Sequence, residues 1–304
     1  MNHIHFITLG WSDEHPYLQG RPDPPDPHTE HVDIPFGKPL TITMSDVRLC
    51  IGYYDFVNKQ KVPCPDRRRL GDKYAQCFAC QCREVTYYTS KGYAENPEAA
   101  QAYLDTQDHA AYLALFGRDL LKVGVASTGR RLRRTLEQGA QASLFWAHAN
   151  GTDIRTLERY VSRNFQIKEQ VTTLQKIKRF GQHLSSSAAQ EILEHKRMAI
   201  AQELPPDLRR HLDLQPDFQF LADHYHLDLP LTTTDVRLIK NISTADTYSG
   251  VVRGVSGSIV VLQADDQHSY ALPIKRLQGY MVQIETELNH MQLAHTPQVV
   301  RLDG

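Results

Sequence analysis

Residues 109–140 read HAAYLALFGRDLLKVGVASTGRRLRRTLEQGA, and their pattern decides the fold. Residues 110–117 and 120–125 are apolar runs joined by Arg118-Asp119, the signature of an antiparallel hairpin. Residues 131–137 follow as a helix with Gly139 placed as its C-cap. Residues 142–148 (ASLFWAH) form a third strand candidate, and Asn150-Gly151 after it reads as a turn. From 153 to 165, Ile154, Leu157, Tyr160, Val161 and Phe165 recur at the spacing of one helical face. The predicted order is strand, strand, helix, strand, helix.

Towards the N-terminus, residues 4–9 and 40–54 carry apolar and β-branched runs. The Pro-rich stretch 21–27 between them can form neither a helix nor a central strand. Residues 96–105 open on Asn96-Pro97 and are rich in helix formers, which predicts a short helix. Residues 185–203 predict a longer helix, opened by a serine run and stopped by Pro205-Pro206. From residue 235 onward short strands are punctuated at Gly250, Gly254, Gly257, Asp265, Asp266 and Gly279, a spacing that suits a small antiparallel barrel. The expected class is α+β in four regions: a β-rich unit at 1–108, a mixed α/β core at 109–180, a helical connector at 181–234 and a small β-barrel at 235–304.

The chain has 304 residues and a net charge of −1, so a charge-driven interaction with a polyanion has to come from local clusters. Every apolar stretch is broken by charge before the ~20 residues that a bilayer crossing requires. Residues 1–11 show no basic n-region, so no secretory signal is read and a cytoplasmic protein without a membrane is expected.

In that compartment the five cysteines are expected to be reduced. Cys50, Cys64, Cys77 and Cys80 supply four thiols, and Cys77-Phe78-Ala79-Cys80 is a tight knuckle that presents two sulfurs to one tetrahedral metal. The loop between them, with Pro63, Pro65, Gly71 and Arg67-Arg68-Arg69, is too polar to be ordered by apolar burial, and a structural Zn2+ would order it. An iron–sulfur cluster is the other metal reading, and reduced cysteines without a metal are the plain one. Cys82 is read as a small buried residue outside the ligand set.

The residues from His109 to Gly117, Leu121-Lys122-Val123-Gly124-Val125, Arg134 and Glu137-Gln138-Gly139-Ala140 resemble a bacterial and archaeal family of zinc-containing proteins of unknown function. The core of that family is similar to the GIY-YIG nuclease superfamily. The resemblance extends over the cysteine loop, the central segment and residues 250–280. In the superfamily the first strand carries a tyrosine, the second a Tyr-Ile-Gly type triplet, the next helix an arginine and a later helix a metal-binding glutamate. The resemblance therefore implies Tyr112 helping to activate water, Val123-Gly124 in the triplet, Arg134 on phosphate and Glu158 holding Mg2+ or Mn2+. The sequence departs from the pattern at Lys122, which stands where the triplet has its tyrosine. A lysine is a cation and a donor and no phenol.

Arg130, Arg131, Arg133 and Arg134 share one helical turn, and with Lys122 on the preceding strand they predict a positive surface suited to phosphates. Lys275, Arg276 and Tyr280 form a basic-aromatic turn in the C-terminal region, of a kind that binds oligonucleotides in small barrels. Taken singly, each of these residues is also explained as a solvated charge or a core aromatic. His109, His148 and His183 lie near the core motif without ligand-type spacing. The first expectation is a nucleic-acid-binding protein, with RNA favoured over DNA. The second is a divalent-metal-dependent endonuclease using Tyr112, Arg134 and Glu158, and the third a structural scaffold for protein partners.

Overall fold

A computed structural model describes all residues except 1, 13, 23–25, 72, 228–235, 240–241, 243–245, 265–267, 287–298 and 301–304. The Asp265-Asp266 turn and part of the Pro-rich stretch lie outside the described residues. The chain divides into two compact units.

The first unit contains residues 1–103, 235–254 and 258–304. Its strands belong to a ten-stranded sheet in the order Val299–Val300, Val236–Ile239, Ser269–Pro273, Ile259–Gln263, Thr247–Ser256, Pro39–Arg48, Tyr280–Glu285, Asn2–Ser12, His15–Arg21, Glu30–Asp33. The expected C-terminal barrel is corrected here: the order has two distinct ends, and no closed barrel forms among the described residues. Instead the C-terminal strands enclose an N-terminal one, with Ile42 facing both Tyr248 and Ile284 in register. The reason is burial. Pro39–Arg48 and Tyr280–Glu285 alternate between buried and partly exposed residues, so each has one apolar face. Leu40, Ile42, Met44, Val282 and Ile284 are all nearly inaccessible. Strand existence was readable from local alternation, whereas partners 200 residues apart were not.

The second unit contains residues 104–234 and 255–257. Strands β1 (Asp108–Phe116), β2 (Leu120–Ser127), β3 (Ala142–Asn150) and β4 (Asp217–Phe220) form an antiparallel sheet in the order β4-β3-β1-β2. Helix α1 (Arg131–Gln138) ends at Gly139 as expected. Helix α2 (Gly151–Phe165) begins two residues earlier than its periodicity suggests. Asn150-Gly151 is not a turn but a helix start, in which the Asn150 side chain accepts from the amides of Thr152 and Asp153. A short helix, α3 (Thr173–Ile177), carries a complete capping box. Helix α4 (Ser186–Glu203) is capped by Ser185.

Leu113, Leu115, Val123 and Leu144 of the sheet pack with Ile154, Leu157 and Val161 of α2 and Leu193 and Ile200 of α4 in one core. The pairing of β1 with β3 shifts register between Ala111 and Tyr112, a bulge beside the tyrosine singled out from the sequence. No helix among the described residues is long and apolar enough to cross a membrane.

Candidate functional site

Two constellations stand out, one in each unit. In the first unit the Sγ atoms of Cys50, Cys64, Cys77 and Cys80 all lie within 4.8 Å of one another, and all four residues are buried. The Cys64 and Cys77 sulfurs are 3.9 Å apart. That is far too long for a disulfide and close to the edge of about 3.8 Å expected for a tetrahedron with metal–sulfur bonds of about 2.3 Å. Backbone hydrogen bonds lace the loop to the preceding strand, from the Cys50 amide to the Arg68 carbonyl and from Leu70 to Arg48.

Gly52 has φ +84°, and a Cβ there would lie 1.9 Å from the Val62 carbonyl oxygen, so the turn after Cys50 excludes any side chain. The amides of Gly52 and Cys77 both donate to Cys50 Sγ, at 3.5 and 3.1 Å. A hydrogen bond from the Cys80 thiol, then those amides, hold the Cys50 thiol well below the usual thiol range against desolvation. The Cys80 thiol is pushed up, first by donating to Cys50 and then by burial. Four buried thiols of which one readily ionises can hold a metal ion. Arg21 is almost fully buried and feels the Cys50 charge. Its Nη1 donates to the Ile51 carbonyl at 3.0 Å, while its Nε and Nη2 have no partner. Cys82 is buried but outside the sulfur cluster.

In the second unit Tyr112, on β1, and Lys122, on β2, lie diagonally across the hairpin, because Tyr112 pairs with Gly124 and Lys122 with Ala114. Lys122 Nζ sits 5.4 Å from the centre of the Tyr112 ring. Gly124 makes this possible: a Cβ there would come within 2.5 Å of Tyr112 Oη and 2.7 Å of Lys122 Nζ. Tyr112 is inaccessible and Lys122 is 6% exposed. Desolvation pushes the Tyr112 phenol up to about 12 and brings the Lys122 ammonium down to about 8.

Arg134 on α1 and Glu158 on α2, two further elements, act electrostatically on both groups. Two further members were missed from the sequence. Arg155, one turn before Glu158 on α2, shares its field, and the i, i+3 spacing was a readable signal. Glu169 also acts on Lys122 and Glu158. It is brought there by the bridge between Lys122 and Lys168, for which the sequence holds no signal. Burial raises the Glu158 carboxyl, opposed first by Lys122 and then by Arg155.

Among the described residues neither Lys122, Arg134 nor Arg155 forms an ion pair within 4.0 Å. Lys122 Nζ donates to the Val123 carbonyl at 3.1 Å. Tyr112 Oη and Arg155 Nε are buried without an acceptor, and the Arg134 guanidinium lies close enough to the Tyr112 oxygen to act on it as a donor at less than ideal geometry.

The other predicted cations are placed differently. Arg130 and Arg133 both pair with Glu137 at 3.1 Å, and Arg131 pairs with Asp217 at 3.2 Å and lies over Phe145. The expected positive helix face is therefore largely compensated. Lys122 is not on the surface with them. Lys275 and Arg276 are exposed on the turn Ile274–Leu277, but Tyr280 is 6% exposed beneath Arg48, 5.2 Å from the ring centre, and presents no face to a base.

The site features thus define a two-unit protein with a buried four-thiol cluster in one unit and a cation-rich, partly buried polar cluster in the other. The chain belongs to the family described as "Protein of unknown function (DUF2797)", whose match covers residues 37–282 and so includes both clusters. No curated protein and no solved structure matches the chain.

Proposed function

We propose that the chain is a zinc-braced nucleic-acid-binding protein whose second unit holds a phosphate of the bound strand at Lys122, Arg134, Arg155 and Tyr112. The observation that carries the reading is the convergence of three cations without ion pairs and two buried donors without acceptors on one place. Buried polar groups are nearly always satisfied, and a phosphodiester supplies the missing acceptors together with the opposite charge. Guanidinium groups suit phosphate oxygens through paired N–H donors, and Arg134 and Arg155 are half-buried, which strengthens each contact. The hairpin, the flanking helices and the order of Tyr112, Arg134 and Glu158 along them support the likeness to a GIY-YIG core.

Zinc is the metal that fits the first unit. Four thiolates around Zn2+ carry a net charge of −2 and leave no open position, as in a structural site. Arg21, buried beside Cys50 with two unpartnered donors, is the counter-charge such a site requires.

A second reading is divalent-metal-dependent cleavage of the bound strand, favoured by Glu158, a half-buried carboxylate in the field of Lys122, Arg155 and Arg134. There it would hold Mg2+ or Mn2+, which would polarise a phosphoryl oxygen. Lys122, brought down to about 8, is partly able to accept a proton near neutral pH.

Purified protein incubated with labelled RNA and DNA, with and without Mg2+ or Mn2+, tests both. Salt-dependent binding that Arg134→Ala weakens supports the first reading, and no binding at low salt, where phosphate contacts are strongest, would overturn it. Binding without cleavage, unaltered by Glu158→Ala, would overturn the second.

A further inference from the structure

The second unit also contains a cavity of about 340 Å3 that shares none of its lining with the phosphate cluster. Phe180, Phe220 and Tyr225 contribute aromatic wall, Phe116 lies under Lys176 with 5.2 Å from Nζ to the ring centre, and Gln141 and Asp223 contribute polar groups. The Gln141 amide has a fixed orientation, because its Nε2 donates to the Gln182 carbonyl at 2.7 Å. Its Oε1 is left as the acceptor, and that atom is buried without a partner. A ligand satisfying this cavity is flat and aromatic and carries an N–H donor. Every nucleobase has that chemistry, and the volume lies in the range of small-ligand pockets.

The position of the cavity narrows the ligand further. Phe116 lies four residues beyond Tyr112 on β1, and side chains alternate along a strand, so both project from the same face. The separation is about 13 Å at 3.3 Å per residue. Stacked nucleotides rise about 3.4 Å each, so about four of them span that distance, and fewer do so when the strand is extended. A strand whose phosphate rests beside Tyr112 can therefore place one of its bases beside Phe116, at the wall of the cavity.

We infer that this cavity receives one unstacked base of the nucleic acid whose phosphate the Tyr112 cluster holds. The inference rests on the proposed phosphate-binding reading and adds the place where a base is read.

The test is an abasic walk with the full-length protein. A short single-stranded oligonucleotide of whichever type binds is made as a series, each member lacking one base, and dissociation constants are measured. One position should stand out, its removal weakening binding roughly ten- to hundredfold, the range for loss of one base on an aromatic surface. Ala222→Phe, which fills the cavity, should flatten the series, as should the milder Gln141→Met. Arg134→Ala should weaken all members alike. Binding with no sensitive position, or a sensitive position that survives both cavity variants, would overturn the inference and leave the phosphate reading standing. Free nucleoside monophosphates competing only at the cavity, with no strand dependence, would overturn it in favour of a free nucleotide ligand. Failure of the wild type to bind any oligonucleotide would overturn both.

Discussion

Replacing Lys122 by methionine removes a buried ammonium while keeping an unbranched side chain of similar length. The ammonium titrates at about 8 against an ordinary 10.5, first because burial strips its hydration. That lowering corresponds to about 3 kcal/mol. The sign follows from linkage. Between pH 8 and 10.5 the unfolded chain keeps a proton that the folded chain has lost, so the stability of the wild type declines as pH falls through that window. The burial penalty is fully present below pH 8 and absent above 10.5. The unfolding free energy of the wild type should therefore climb by about 3 kcal/mol relative to Lys122→Met as pH rises from 7.5 to 10.5. Any extra burden on Glu158 in the variant is constant over that range and leaves the slope intact. The two tryptophans lie one in each unit, so urea denaturation followed by Trp146 fluorescence, with Trp11→Phe in both proteins, reports on the second unit. A stability difference that stays flat from pH 7.5 to 10.5 would refute the reasoning, because Lys122 would then titrate as a hydrated or ion-paired lysine.

Four further outcomes are expected. Gly124→Ala places a methyl against Tyr112 Oη and Lys122 Nζ, and should lower stability by about 1–3 kcal/mol and weaken oligonucleotide binding, both measurable on one preparation. Elemental analysis should find one zinc per chain in the wild type and in Cys82→Ser and none in Cys80→Ser, and a chelator should lower the melting temperature of the first two alone. Gly52→Ala, forced against the Val62 carbonyl at positive φ, should reduce zinc content without altering any of the four thiols. Arg130→Ala and Arg133→Ala remove exposed partners of Glu137 and should each change stability by no more than about 1 kcal/mol, with far smaller effects on oligonucleotide affinity than Arg134→Ala.

The candidate site was partly legible in the sequence. Tyr112, Arg134 and Glu158 were singled out through a resemblance of pattern, and Gly124 belonged to that pattern. What Gly124 does became visible only with the hairpin register, which lays two side chains over the space a Cβ would fill. The arginine run was readable as charge and unreadable as surface. Its compensation by Glu137 depends on rotamers, and that of Arg131 by Asp217 on a strand 86 residues away. Tyr280 had the composition of a binding residue and proved to be covered by Arg48.

The sequence by itself determined the local elements: the hairpin of β1 and β2, helices α1, α2 and α4, and four cysteines spaced to meet. Each follows from interactions within a few residues, from side-chain periodicity, or from thiol chemistry that few other arrangements satisfy. The tertiary structure alone decided which strands pair, which cations stay unpaired and which polar atoms are buried. Those outcomes depend on apolar faces and charges brought together across the chain, and burial, unlike spacing, exists only once the chain has folded.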